Sequence, residues 1–248
     1  MTLAAVSLSP FPQDPDYHRF ADKRMLFGVP NFGDVISNFA FLFVGLAGLA
    51  FISGSGGRTV LSKPGEWLPY GVFFAALVLV TGGSAYYHWA PDNGPLFWDR
   101  LPITIAFMAL LAAFIADRID VRFGTRFALP GLVVVGAAVT YHWLLSEQAG
   151  RGDLRFYVLL QAVAVVSIVL MCKLFPGRNT TFRHVGWMLL WYGLGKVFEF
   201  SDRKIFLALD WVSGHTLKHL VSAVAIYMVL AMLKDRLEAM AAEPAAEA

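Results

Sequence analysis

Two histidines stand four residues apart in Ser213-Gly-His215-Thr-Leu-Lys-His219. On a helix that spacing puts both imidazoles on one face, about 6 Å apart along the axis, where two ring nitrogens can converge on one metal ion. Ser84 and His88 repeat the spacing in Ser84-Ala-Tyr-Tyr-His88-Trp89, so a hydroxyl and a third imidazole also share a helical face. Three nitrogen ligands with room left for water make the open coordination of a catalytic zinc. Asp99 follows His88 across the turn-rich stretch Pro91-Asp92-Asn93-Gly94-Pro95. A carboxylate beside such a metal can accept a proton from water and later return it to a leaving group. Without a metal, Asp99 would instead cap a helix or pair with Arg100 at an interface. Taken alone, the H-x-x-x-H pair does not separate chelation from other uses. The single cysteine, Cys172, excludes an intramolecular disulfide and any multi-cysteine zinc or iron–sulfur site.

These residues need elements that bring them together, and the composition says what kind. Of 248 residues, 57% are hydrophobic and 15% charged, whereas a soluble domain carries about 25% charged residues. Apolar runs appear at Val35–Ile52, Leu68–Trp89, Leu101–Ala116, Phe127–Leu145, Phe156–Leu174, Val185–Phe200 and Thr216–Leu233. Each is near the ~20 residues that cross a bilayer core as helix. They lack the alternation of barrel strands, and a lone lipid-facing strand cannot satisfy its backbone. The expected fold is an all-α integral membrane bundle of seven transmembrane helices. It forms one domain over 1–248, with an N-terminal segment 1–33, a bundle 34–233 and a C-terminal tail 234–248. Trp67, Trp89, Trp98, Trp143 and Trp211 sit near span ends, where amphipathic rings favour the membrane interface. The stretch Met1–Pro15 has no basic start and is broken by Pro10 and Pro12, unlike a cleaved signal peptide. A net charge of +2 supplies no large cationic field and argues against nucleic-acid binding.

Counting helices then places the chemistry. In a seven-span chain the end of span 2 and the starts of spans 3 and 7 lie on one side of the membrane, the N-terminal side. His88, Asp99, His215 and His219 therefore share a depth, and buried ionisable groups in a membrane are costly and usually functional. That side carries Arg19, Lys23, Arg24, Arg100, Arg151, Arg155, Arg203 and Lys204. The opposite side carries the larger set of Arg58, Lys63, Arg118, Arg122, Arg126, Lys173, Arg178, Arg183, Lys234 and Arg236. Basic loops stay cytoplasmic, so the N-terminus and the site are expected outside and the C-terminus in the cytoplasm.

Other polar groups have plainer readings. His142, in Tyr141-His142-Trp143, reads as an interfacial or packing group, while His18 precedes the first span and His184 lies at the far side. Lys196 and Glu199 are three apart in span 6 and neutralise each other, with Lys218 either joining them or snorkelling outward. Asp202 and Arg203 read as a solvated helix end.

The polar positions as a set resemble the alkaline ceramidase family, within a superfamily of seven-span hydrolases that includes the progestin and adipoQ receptors. The matching residues are Asn31-Phe-Gly-Asp34-Val-Ile-Ser37-Asn38, Ser84-x3-His88, Asp99-x2-Pro102 and His215-x3-His219, spread from about Asp22 to span 7. The short loops look like a bacterial branch. The resemblance implies that His88, His215 and His219 bind zinc (Zn2+), that Asp99 handles the protons of water, and that Ser84 hydrogen-bonds within the site. The reaction it implies is hydrolysis of a ceramide-like lipid amide to fatty acid and long-chain base. Arg100 stands where eukaryotic members carry an acidic residue. Their acidic calcium cluster is not clearly matched by Asp14, Asp16, Asp22, Asn31 and Asp34, since Asn31 replaces a carboxylate, and calcium dependence stays open.

The expectation is thus a zinc-dependent membrane amidohydrolase in a bacterial inner membrane, its lipid substrate reaching the site laterally between helices. A lipid ester hydrolase with the same metal remains an alternative. So do a receptor-like seven-helix protein with structural zinc and a transporter built on Lys196, Glu199 and Lys218.

Overall fold

The structure, a computed structural model, describes residues 9–177 and 181–242. Arg178, most of the segment weighed as a signal peptide, and the last residues of the tail lie outside the described residues. Among the described residues the chain is helical and contains no strand, with one isolated bridge pairing Leu26 with Val29. The helices are α1 (Phe32–Ser53), α2 (Ser55–Val60), α3 (Trp67–Trp89), α4 (Asn93–Arg118), α5 (Val121–Gln148), α6 (Arg155–Leu174), α7 (Phe182–Phe200), α8 (Asp202–Leu209) and α9 (Gly214–Ala242).

Six of them, α1, α3, α4, α5, α6 and α9, are long and apolar enough to cross a membrane. This makes the chain an all-helical bundle compatible with an integral membrane protein. The run Val185–Phe200 forms helix α7 as expected, yet Arg183, His184, Lys196 and Glu199 make it too polar to join that set on composition. It packs along α9.

Helix α4 is the centre of the bundle, packed by α3, α5 and α6 and mostly buried. Its core side is a run of small and aliphatic residues, with Ala109, Ala112 and Ala113 inaccessible or nearly so. Small side chains let neighbouring helices approach closely, which is how helices associate when no hydrophobic effect drives them together. The same device acts between α3 and α4: a Cβ on Gly83 would lie 2.0 Å from the Trp98 carbonyl oxygen. That contact holds Ser84 against the beginning of α4, where Asp99 lies.

Helix α4 begins two turns earlier than its apolar run, at Asn93. Asp92 is the cap, its side chain accepting from the Asn93 amide at 2.7 Å. Pro95 fits inside the first turn, where backbone N–H groups have no helical partner. The capping role considered for Asp99 therefore belongs to Asp92, and Asp99 is left free inside the helix. Trp67, Trp89, Trp98 and Trp211 are exposed, at or near helix ends. Trp143 is not one of them: it is fully buried, with its indole N–H donating to Glu147 at 3.1 Å. Helix α9 runs beyond the expected end at Leu233, to Ala242.

Candidate metal centre

The last turn of α3 and the first turns of α9 meet at one end of the bundle. His88, His215 and His219 are buried there at 1%, 5% and 3% exposure. Their ring centroids are 4.8–4.9 Å apart pairwise. One ligating nitrogen from each ring can be chosen so that all three lie within 4.8 Å of one another. Among the described residues this is the one group of His, Cys, Asp and Glu that could hold a metal ion.

Each ring is placed by identifiable contacts. The His88 carbonyl accepts from the Asn31 side chain at 2.8 Å, which ties the end of α3 to the start of α1. Asn31 adopts a left-handed conformation, φ 46°, at that junction, which asparagine tolerates better than most residues. Helix α9 starts with Ser213, whose hydroxyl accepts from the Thr216 amide at 2.9 Å in an N-cap arrangement. Asp202 takes the next free amide, that of His215, at 2.8 Å. Its second oxygen accepts from the Ala21 amide at 3.0 Å. Asp202 is thus a clamp between the N-terminal segment and α9, not the solvated helix end its sequence position indicated.

The N-terminal segment closes the site from above. Phe20 is buried, its ring centred 4.6 Å from His88 and 4.9 Å from His215. Asp22 anchors this segment: its carboxylate accepts from Arg24 at 2.7 and 2.8 Å, and Arg24 also reaches the carbonyls of Asp210 and Trp211. Burial pushes the Asp22 carboxyl up, but the hydrogen bonds and charge of Arg24 outweigh it and hold the group below its ordinary range. With both oxygens engaged by a guanidinium, Asp22 is committed to an ion pair. No acidic cluster fit for a second cation occurs among the described residues.

Below the rings lies a layer of polar support. Ser37 Oγ is 2.8 Å from His219 Nδ1 and donates to the Asp34 carbonyl at 3.1 Å, so its lone pair faces the ring and accepts from Nδ1–H. That leaves the His219 Nε2 lone pair for a ligand, the outer-shell arrangement that fixes a tautomer at metal sites. Asp34 is inaccessible and accepts from Thr216 at 2.7 Å and Ser213 at 3.0 Å. These residues were visible only as part of a family pattern, since a Ser or Asp near a span start has many uses.

The donor set can be tested against a cation. His88 Nδ1 is buried and no described residue hydrogen-bonds it, and an orphaned buried nitrogen asks for a partner. Tetrahedral zinc ligands at 2.0–2.1 Å stand about 3.3 Å from one another, a modest contraction from the present spacing. Three imidazoles, one of them oriented by Ser37, fit such an ion once His215 Nε2 is released from Lys218. Cys172, the one softer ligand in the chain, is not in the group.

Ser84, one helical turn before His88, and Asp99 are not members of this group. Both are buried, at 3% and 8% exposure, and the Ser84 hydroxyl neighbours the Asp99 carboxyl. Asp99 Oδ1 is buried without a hydrogen-bond partner. Arg100 turns the other way: its guanidinium lies over Trp143 at 4.2 Å and Tyr157 at 4.8 Å and is hydrogen-bonded to the Gln13 side chain. The pairing considered for Asp99 and Arg100 is thus replaced by an aromatic cradle for Arg100.

The remaining histidines are engaged elsewhere. His18 has Tyr87 and Asn93 on its two nitrogens, His142 is half exposed with Nε2 3.9 Å from Asp153, and His184 contacts Thr181 and Asp235. Lys196 and Glu199 form the expected ion pair at 2.7 Å. Lys218 bonds Glu199 at 3.2 Å and also reaches His215 Nε2 at 3.1 Å, a contact its sequence position did not disclose.

No protein-family model matches this chain, and no curated protein matches it significantly.

Proposed function

We propose that the chain is a zinc-dependent membrane amidohydrolase that cleaves the N-acyl amide of ceramide-like lipids to fatty acid and long-chain base. The observation that carries the proposal is the convergence of His88, His215 and His219, with an orphaned ring nitrogen, together with a buried carboxylate, Asp99, whose Oδ1 has no partner and whose neighbour Ser84 lies one helical turn before His88. The resemblance of these positions to the alkaline ceramidases supports the same reading. In it, α7 is the sixth span and brings the count to seven: its Lys196 and Glu199 are paired at 2.7 Å, which lowers the cost of carrying them into lipid. The N-terminus and the site then face outward from the inner membrane.

His88, His215 and His219 would hold the zinc. When bound, zinc supplies Lewis-acid polarisation of the amide carbonyl and makes water a nucleophile at neutral pH. The chain's own residues do the rest. Ser37 keeps His219 in the tautomer with Nε2 free. Asp99 Oδ1 accepts the proton that the attacking water gives up and delivers it to the amine nitrogen as the C–N bond breaks. Ser84 orients the Asp99 carboxyl and hydrogen-bonds the substrate. Phe20 and the docked N-terminal segment keep bulk water from the rings, which strengthens each polar interaction within. A lipid amide sits at headgroup depth with its tails in hydrocarbon, which suits a site at the end of a bundle.

The test is metal analysis of the purified protein together with fatty-acid release from ceramide before and after chelation. About one zinc per chain, with activity lost on chelation and restored by zinc, is the expected result. A zinc-free and fully active protein overturns the mechanism. Fatty acid released from ester lipids alone replaces the amidase reading with an ester hydrolase.

A further inference from the structure

Lys218 does not behave as a peripheral lysine. Its ammonium is 3.1 Å from His215 Nε2 and 3.2 Å from Glu199 Oε1, and its side chain is only 19% exposed. The other oxygen of Glu199 is taken by Lys196 at 2.7 Å. Two ammonium groups therefore share one carboxylate, and the surplus positive charge lies at the Lys218 end, against the histidine group.

The contact with His215 has a strict chemical consequence. An ammonium donates and cannot accept, so His215 Nε2 must offer its lone pair to Lys218. A neutral imidazole has one such lone pair, and the proton is then on Nδ1. While Lys218 holds that lone pair, neither nitrogen of His215 can ligate a metal. Loading the triad must therefore release the Lys218 N–H from the ring and leave it beside the site, with Glu199 still holding the ammonium in place. A cationic donor and a dication that face one another repel, and an anionic oxygen between them attracts both.

Resting on the hydrolase reading above, we propose that Lys218 is a further catalytic residue: its ammonium donates to the acyl oxygen of the substrate as that oxygen becomes negative, and then to the carboxylate of the fatty-acid product. Lys218 keeps its proton throughout. The water oxygen adds to the carbonyl carbon, its proton passes by way of Asp99 to the amine nitrogen, and the C–N bond breaks to give free amine and fatty acid. Fixed donors aimed at a developing oxyanion contribute strongly because they need no reorganisation during the reaction. Ser84, on the Asp99 side, then serves the acid and the amide more than the oxyanion.

The experiment compares wild type, K218M and K218R, each purified in detergent and loaded with Zn2+. It reads zinc affinity by competition with a chromophoric chelator, laurate binding by calorimetry, and ceramide hydrolysis. K218M is expected to bind zinc at least as tightly as wild type, since the competitor for His215 is gone. Its laurate affinity should fall about tenfold or more, the loss typical of one charge-assisted hydrogen bond. Its kcat should drop by roughly 10²–10³ with KM changed little, and K218R should recover part of both losses. K218M with undiminished kcat and laurate affinity overturns this inference and leaves the hydrolase reading intact. Loss of zinc from K218M also overturns it, by making Lys218 a structural support. A wild-type protein that takes up no zinc refutes both.

Discussion

His88 and His184 are both buried histidines on helices of one bundle, at 1% and 6% exposure, and their surroundings differ in kind. At the far end of the molecule His184 has Thr181 on Nδ1 and Asp235 on Nε2, so the ring is used up by the protein. At the other end His88 Nδ1 has no hydrogen-bond partner and two more imidazole rings lie within 5 Å. Burial alone thus says little about a histidine. What separates a structural ring from a ligand is whether its two nitrogens are already satisfied by neighbours that fold with it. His18, with Tyr87 and Asn93 on its nitrogens, belongs with His184.

The comparison breaks if the two rings respond alike to removal. His88→Ala should abolish zinc binding and with it hydrolysis, by roughly 10³-fold or more if metal activation supplies the chemistry. His184→Ala should leave zinc stoichiometry and activity unchanged while costing about 1 kcal/mol for the lost hydrogen bonds. Metal content by mass spectrometry and thermal unfolding in detergent read both.

In the proposed mechanism Asp99→Asn removes the proton carrier without removing a metal ligand. Zinc should stay bound and hydrolysis fall by roughly 10²–10⁴, the usual worth of a positioned acid–base group. Loss of zinc in this variant would make Asp99 part of the metal shell instead. A smaller effect belongs to Ser37→Ala, which frees the His219 ring to adopt the wrong tautomer. Zinc affinity should weaken by about 10–100-fold, as for other outer-shell partners, with the helical circular dichroism unchanged.

The smallest effect sharpens the role of the N-terminal segment that carries Phe20. The folded Asp22 carboxyl titrates below its ordinary value of 3.8 because of Arg24. A depressed carboxylate contributes stability that is complete above the unfolded value and is lost as pH falls through the folded one. Limited proteolysis near residue 22 should therefore stay constant down to about pH 4 and rise only below it. Arg24→Ala should flatten that dependence and expose the segment at neutral pH.

Much of this arrangement was readable before any coordinates. The apolar runs located the helices, and the four-residue spacing put His215 and His219 on one helical face. Other features were misread for local reasons. Trp143 looked interfacial by its place near a run end, whereas Arg100 and Glu147 draw it inward. Asp202 looked solvated, yet it holds the first turn of α9 and the chain at Ala21 together. The packing of Phe20 on the histidine rings had no local signal, since a lone aromatic before the first span fits any number of positions.

Composition and the 3.6-residue period determined the helical architecture and which polar groups share a helix face, because those depend only on length, polarity and spacing along one chain. Tertiary structure alone decided which nitrogen is orphaned, that Ser37 orients His219, and that Lys218 reaches His215. These are contacts measured in tenths of an ångström between helices far apart in sequence, and they follow from how the helices rotate and pack.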